Sequence, residues 1–115
     1  MTDPLIDAAT FGELQANAGA DFVVELVQTF AEEAPQILDE LRSAFEAGAA
    51  ERFRRAAHSL KSNSNTFGAS RLAEMARSLE LGGMPTDRAA VDALTGELQR
   101  SIAALMAMAQ ETQGG

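Results

Sequence analysis

An all-α fold, an antiparallel four-helix bundle with a short additional N-terminal helix, is predicted by three observations. Apolar residues recur at three- and four-residue spacings in long segments, and no segment shows the period of two that a half-buried strand requires. Glycine and proline punctuate these segments, leaving short loops that fit antiparallel neighbours. Hydrophobic residues make up 46% of the 115 residues, with only 5% aromatics and no Trp or Tyr, so the core must come from Leu, Val, Ile, Ala, Met and Phe. A chain of this length supports one core, and residues 1–115 are read as a single domain.

The first helix spans about 8–17, where "TFGE" reads as a capping box between Thr10 and Glu13. "NAGAD" ends it, and Asp21 is placed as the N-cap of the next helix. That second helix, 21–47, carries Val23, Val27, Phe30, Ala34, Ile37, Leu41 and Phe45 in one stripe. Pro35 lies inside it and removes an amide donor, but the stripe keeps its phase across the proline, so a kink is expected rather than a break. Gly48 closes this helix. The third runs over 50–66 and stops at Gly68. The fourth, 70–81, carries Leu72, Met75, Ala76 and Leu79 before "LGGMPTD". Thr86 is placed as the cap of the fifth, 87–111, with Val91, Leu94, Leu98, Ile102, Leu105 and Ala109 on one side. The methionines at 75, 84, 106 and 108 read as core or edge packing.

Composition narrows the function classes. There are no cysteines, which excludes disulfides and thiolate metal sites. "MTDPLIDAAT" has no basic segment ahead of an apolar run, so it does not read as a secretory signal. The longest apolar run, "IAALMAMA" at 102–109, is far short of a membrane span. A soluble, cytoplasmic, monomeric domain is expected. The formal net charge of −8 disfavours nucleic acid, because phosphates would be repelled. Against that background, Arg52, Arg54, Arg55, Lys61 and Arg71 fall between residues 52 and 73 with no acid among them.

The same segment holds the chain's one histidine, His58. At about 100° per residue, Phe53, Ala57, Leu60, Ser64 and Phe67 form the inward stripe of the third helix. His58 then stands about 140° away, on the outer face, with Arg54, Lys61, Ser62 and Asn65 around it. Neutral imidazole is a nucleophile near pH 7. Nearby Arg54, Arg55 and Lys61 are expected to disfavour its protonation. The Lys61 ammonium, three residues on, can neutralise a phosphoryl group on the ring. Ser59, Ser62 and Asn65 leave room for another protein, and a cationic strip suits a partner pocket lined with carboxylates. The pattern fits a phosphoryl relay.

At these residues the chain resembles the histidine-containing phosphotransfer (HPt) domains of two-component phosphorelays. Their pattern is approximately H-x-L-K-G-x-S, a short gap, then an apolar residue and G-A. "HSLKSNSNTFGA" matches at His58, Leu60, Lys61, Ser64, Phe67, Gly68 and Ala69, and departs at Ser62, where glycine is common. Serine is small enough for an incoming domain to pass. The resemblance covers roughly residues 5–110. It implies that His58 is the phosphoacceptor, taking a phosphoryl group from the aspartate of one response-regulator receiver domain and passing it to another, with Lys61 stabilising the phosphoryl group. Partner contacts are expected at Arg54, Arg55, Ser62, Asn65 and Gly68, and the resemblance implies a sensor or hybrid histidine kinase upstream. It also implies no cofactor on this chain, Mg²⁺ belonging to the receiver, and no kinase activity of its own. The sequence agrees in having no P-loop or glycine-rich phosphate cradle.

Other readings compete. A non-catalytic adaptor could bind and block a receiver or kinase domain, and the chain could be the excised phosphoacceptor domain of a chemotaxis-type kinase. The stand-alone reading is preferred. A metal site lacks ligands, since Glu51 and Glu74 are too far from His58. A hydrolase would need an acid to orient Ser59 or Ser62 and an oxyanion site, and neither is legible.

Overall fold

The computed structural model describes residues 5–114, with side chains through residue 111; residues 1–4 and 115 of the predicted 1–115 domain lie outside the described residues. The described residues form five helices and no strand: α1 (Ala8–Ala18), α2 (Ala20–Ala47), α3 (Ala50–Thr66), α4 (Ser70–Gly82) and α5 (Ala89–Gly114). Helix α2 packs on α3 and α5, α3 on α4, and α4 on α5, so the four longer elements close a ring, while α1 lies on α2. The apolar residues that the spacing selects meet inside this ring. Val23, Val27, Phe30, Phe53, Leu60, Leu72, Leu94, Leu98 and Leu105 are buried in one cluster. Each such side chain contributes about 1.5–3 kcal/mol by leaving water.

Helix α2 runs unbroken through Pro35, as the unshifted stripe requires. Its inner line nevertheless includes Leu38 and Ala44, while Ile37 and Phe45 stand half-buried at its margins. A stripe at 3.6 residues per turn is wide enough for either neighbour to take the central place. In α5, Ile102 is likewise marginal and Ser101 takes the central place. Met75, Met84 and Met108 pack against the core, whereas Met106 is exposed.

Three predicted caps are displaced. The N-cap of α1 is Asp7, whose carbonyl accepts from the Phe11 amide. Thr10 sits inside the first turn and donates its hydroxyl to the Asp7 carboxylate at 2.5 Å. A Thr10–Glu13 box is therefore not formed at the helix start. Gly19, not Asp21, precedes α2, and Asp21 occupies its first turn, where a carboxylate is favoured by the helix dipole. Asp87 rather than Thr86 serves α5, its Oδ1 accepting from the Ala89 amide at 2.8 Å.

The turn between α3 and α4 fixes the site-bearing helix. Phe67 follows α3 and packs against Phe30 of α2, ring centroids 5.1 Å apart and planes tilted by 46°. Gly68 adopts φ +79°, a left-handed conformation that costs a side-chain-bearing residue free energy. Its carbonyl accepts from the Asp7 amide at 2.7 Å, so the start of α1 is bonded onto the end of α3.

Candidate functional site

His58 lies on α3 with its side chain 56% exposed. The residues that aim it outward are those that bury the opposite face: Phe53, Ala57, Leu60 and Ser64 are all in the core. Ser64 is accommodated there because its hydroxyl donates to the Leu60 carbonyl at 2.7 Å, the back-bond open to a helical serine.

The group beside the ring is one the sequence reading missed. Glu80, in the last full turn of α4, places Oε2 2.7 Å from His58 Nδ1. Its other oxygen, Oε1, lies 2.9 Å from Lys61 Nζ and has no further hydrogen-bond partner. One carboxylate thus holds both members of the H-x-x-K pair. Glu80's side chain is only 10% exposed, against 24% for Lys61. Its pKa is lowered from the ordinary 4.5, first by the hydrogen bond from Lys61 and next by that from His58, with desolvation opposing them. The carboxylate is therefore ionised at neutral pH, and an ionised carboxylate only accepts hydrogen bonds. Nδ1 must then carry the proton, and in the neutral ring Nε2 is left with the free lone pair.

This corrects the expected cationic collar. The charge nearest the ring is negative, and the strip that is wholly basic in sequence is largely neutralised from other positions. Arg54 is bonded to Glu51. Arg52 meets Glu40 at 3.0 Å, and Arg71 lies 3.9 Å from the buried Glu97. Glu51's pKa is lowered chiefly by the Arg54 hydrogen bond, then by the Arg54 charge, with Arg55 acting more weakly through its charge.

The other predicted contact residues divide in two. Ser62, Asn65, Arg54 and Arg55 are exposed on the outer face of α3 with His58. Gly68 is buried; a Cβ there would lie 2.9 Å from the Asp7 carbonyl oxygen and 3.0 Å from Thr10 Cβ. The start of α1 covers it, so its contacts are within the chain, and it is removed from the partner-facing set. Among the described residues no three His, Asp or Glu side chains converge as a metal site would need, and no helix is long and apolar enough to cross a membrane.

Glu80 was legible in principle. His58 is ten residues before Gly68 and Glu80 twelve after it. A helical hairpin brings residues at similar distances from its turn side by side.

The comparisons with known proteins identify the family. The family model of the Hpt domain matches residues 25–107, a span that contains His58, Lys61 and Glu80. Among solved structures, the chain is similar to histidine-containing phosphotransfer protein B (HptB) from Pseudomonas aeruginosa PAO1. The two share 26% identity at a TM-score of 0.76, over 98% of this chain and 97% of that one. A search of curated proteins gives no match. With most of its length matched, α3 and α4 included, the chain belongs to the Hpt domain family and is a histidine phosphotransfer protein of two-component signalling.

Proposed function

We propose that this chain is one antiparallel four-helix domain, with α1 as a cover. On this reading it relays a phosphoryl group between aspartates of response-regulator receiver domains through phosphohistidine at His58. The observation that carries this reading is the exposed ring whose Nδ1 lies 2.7 Å from an ionised carboxylate. The Nε2 lone pair attacks the phosphorus of an aspartyl phosphate and forms an N–P bond. The bond from phosphorus to the aspartate oxygen breaks, and its electron pair leaves with the carboxylate. No proton has to move, because Nε2 starts unprotonated. The ring then carries N–H at one nitrogen and phosphorus at the other, and its positive charge faces Glu80. The Lys61 ammonium, already drawn to Glu80, faces the phosphoryl oxygens. Passing the group to a second receiver is the same step reversed.

The test is transfer from phosphorylated receiver domains. Acid-labile, alkali-stable label should appear on the chain and vanish in His58→Gln, while the helical circular-dichroism signal persists. No label from any cognate receiver overturns the relay. A His58→Gln protein that still performs the regulatory task would instead establish a non-catalytic adaptor.

A further inference from the structure

Glu80 accepts from two donors, and with the ring neutral only one of them carries charge. Lys61 Nζ lies 2.9 Å from Oε1 and His58 Nδ1 2.7 Å from Oε2. The Glu80 side chain is largely buried and Oε1 finds no other partner, so each oxygen depends on its one donor. The other charges around the site are committed elsewhere or stand in solvent. On α3, Arg54 is bonded to Glu51 and reaches Glu80 only through space, and Arg55 is exposed. From α2, Glu40 is taken by Arg52. On α4 itself, Arg77 is exposed. A change of charge on the ring is therefore felt first by the pair of Lys61 and Glu80.

Phosphorylation at Nε2 makes such a change. The Nδ1 proton stays, so the ring becomes a cation at the very oxygen it already touches. A protein-bound phosphoryl group also brings a charge of about −1.5 to −2 at pH 7 and three acceptor oxygens. Two cations then face one carboxylate, while the larger negative charge stands on the ring's other nitrogen with no counter-ion of its own. The imidazolium alone balances Glu80, and the Lys61 ammonium, on its flexible stem, follows the uncompensated charge. Resting on the phosphohistidine of the relay reading, we infer that phosphorylation makes Glu80 exchange partners, giving up Lys61 to the phosphoryl oxygens and pairing with the His58 imidazolium alone. Discharge reverses the exchange. A receiver aspartate oxygen bonds to phosphorus, and the bond from phosphorus to Nε2 breaks with its electron pair returning to Nε2. The ring keeps its Nδ1 proton and leaves neutral, and Lys61 returns to Glu80. A ring that had lost that proton would have to leave as an anion. Glu80 thus governs release of the phosphoryl group, by holding the phosphorylated ring protonated as pH rises.

The chain holds one lysine and one histidine, so nitrogen NMR reads each of the two donors from a single side chain. His58 is phosphorylated with phosphoramidate, which needs no receiver. Glu80→Gln should displace the Lys61 Nζ signal in the unphosphorylated chain and leave it nearly unmoved in the phosphorylated one, where the ammonium has already departed. Equal displacement in both states overturns the exchange. Lys61→Gln leaves Glu80 in place and should move the phosphorus signal of the phosphorylated chain; an unmoved signal overturns the exchange as well. Discharge to an unphosphorylated receiver gives the functional reading. With imidazole ordinarily titrating near 6.5, the rate in Glu80→Gln should fall roughly tenfold or more relative to the parent between about pH 6.5 and pH 8.5. A constant ratio of the two rates across that range overturns the role of Glu80 in release. A phosphoryl group that enters from phosphoramidate yet passes to no receiver overturns the relay reading alone, the NMR signals still deciding the exchange.

Discussion

Glu80 and His58, twenty-two residues apart in sequence, meet at 2.7 Å across α3 and α4, carboxylate Oε2 to imidazole Nδ1. That contact sets the ring's tautomer and orientation, and so decides which nitrogen is presented to a partner. It also leaves the largely buried carboxylate dependent on its two donors. The site is accordingly a three-residue unit in which Glu80 holds both His58 and Lys61; on the proposed relay, His58 carries the phosphoryl group and Lys61 supplies charge.

Replacing Glu80 tests this unit. A hydrogen bond to a charged group contributes roughly 1.5–3 kcal/mol, so Glu80→Ala should slow phosphoryl transfer roughly 10- to 100-fold. Glu80→Gln keeps an acceptor for Nδ1–H and should lose less. Nitrogen NMR of the ring separates positioning from general disruption: the mixture of tautomers should shift in Glu80→Ala with the helical content unchanged. A tautomer ratio identical to the parent would remove Glu80 from this role.

The fold was largely legible because burial of an amphipathic helix follows period alone. Phe53, Leu60, Leu72, Leu94 and Leu105 took the places their spacing assigns. So did the outward aim of His58, which follows from the inward aim of Phe53 and Leu60. What sequence order hid were relationships between helices. The run from Arg52 to Ala73 contains no acid, yet Glu40, Glu80 and Glu97 reach it from α2, α4 and α5. Gly68 matched the family pattern, but matching does not reveal that the start of α1 covers it. The cap errors have a local origin, since Thr10, Asp21 and Thr86 are each good caps lying one to three residues from the one used.

Acid should weaken the protein partly through Glu80. Its pKa is depressed in the folded state by bonds from Lys61 and His58. The stability it contributes is therefore full above its unfolded value, near 4.5, and is lost as pH falls through the lower folded value. Urea denaturation from pH 7 to pH 3 should show the gap between parent and Glu80→Gln closing below about pH 4.5. A gap that is constant across that window would mean the ion pairing contributes nothing.

Gly68→Ala should destabilise the bundle without touching the site. The left-handed φ of +79° strains any Cβ, and the added atom would press on the Asp7 carbonyl and Thr10. A loss of about 2 kcal/mol is expected, seen as a lower urea midpoint. Proteolysis of α1 should also accelerate as its anchor to Gly68 loosens. Unchanged stability would show that the α1 cover shifts freely to make room.

Glu97→Met should be neutral or stabilising, against the usual expectation for a charge with two cationic neighbours. Glu97 is 2% exposed, yet its Oε2 has no hydrogen-bond partner. Arg71 stands 3.9 Å off, and Arg100, which does bond Oε1 at 3.0 Å, is itself largely exposed. Desolvating a carboxylate costs several kcal/mol, and a partly satisfied pair returns only some of it. Methionine has similar volume and no charge to desolvate, and both arginines can turn to water, leaving no orphaned cation behind. Thermal unfolding should give a Tm equal to or above the parent's. A loss exceeding about 2 kcal/mol would show instead that Glu97 is fully compensated and ties α4 to α5.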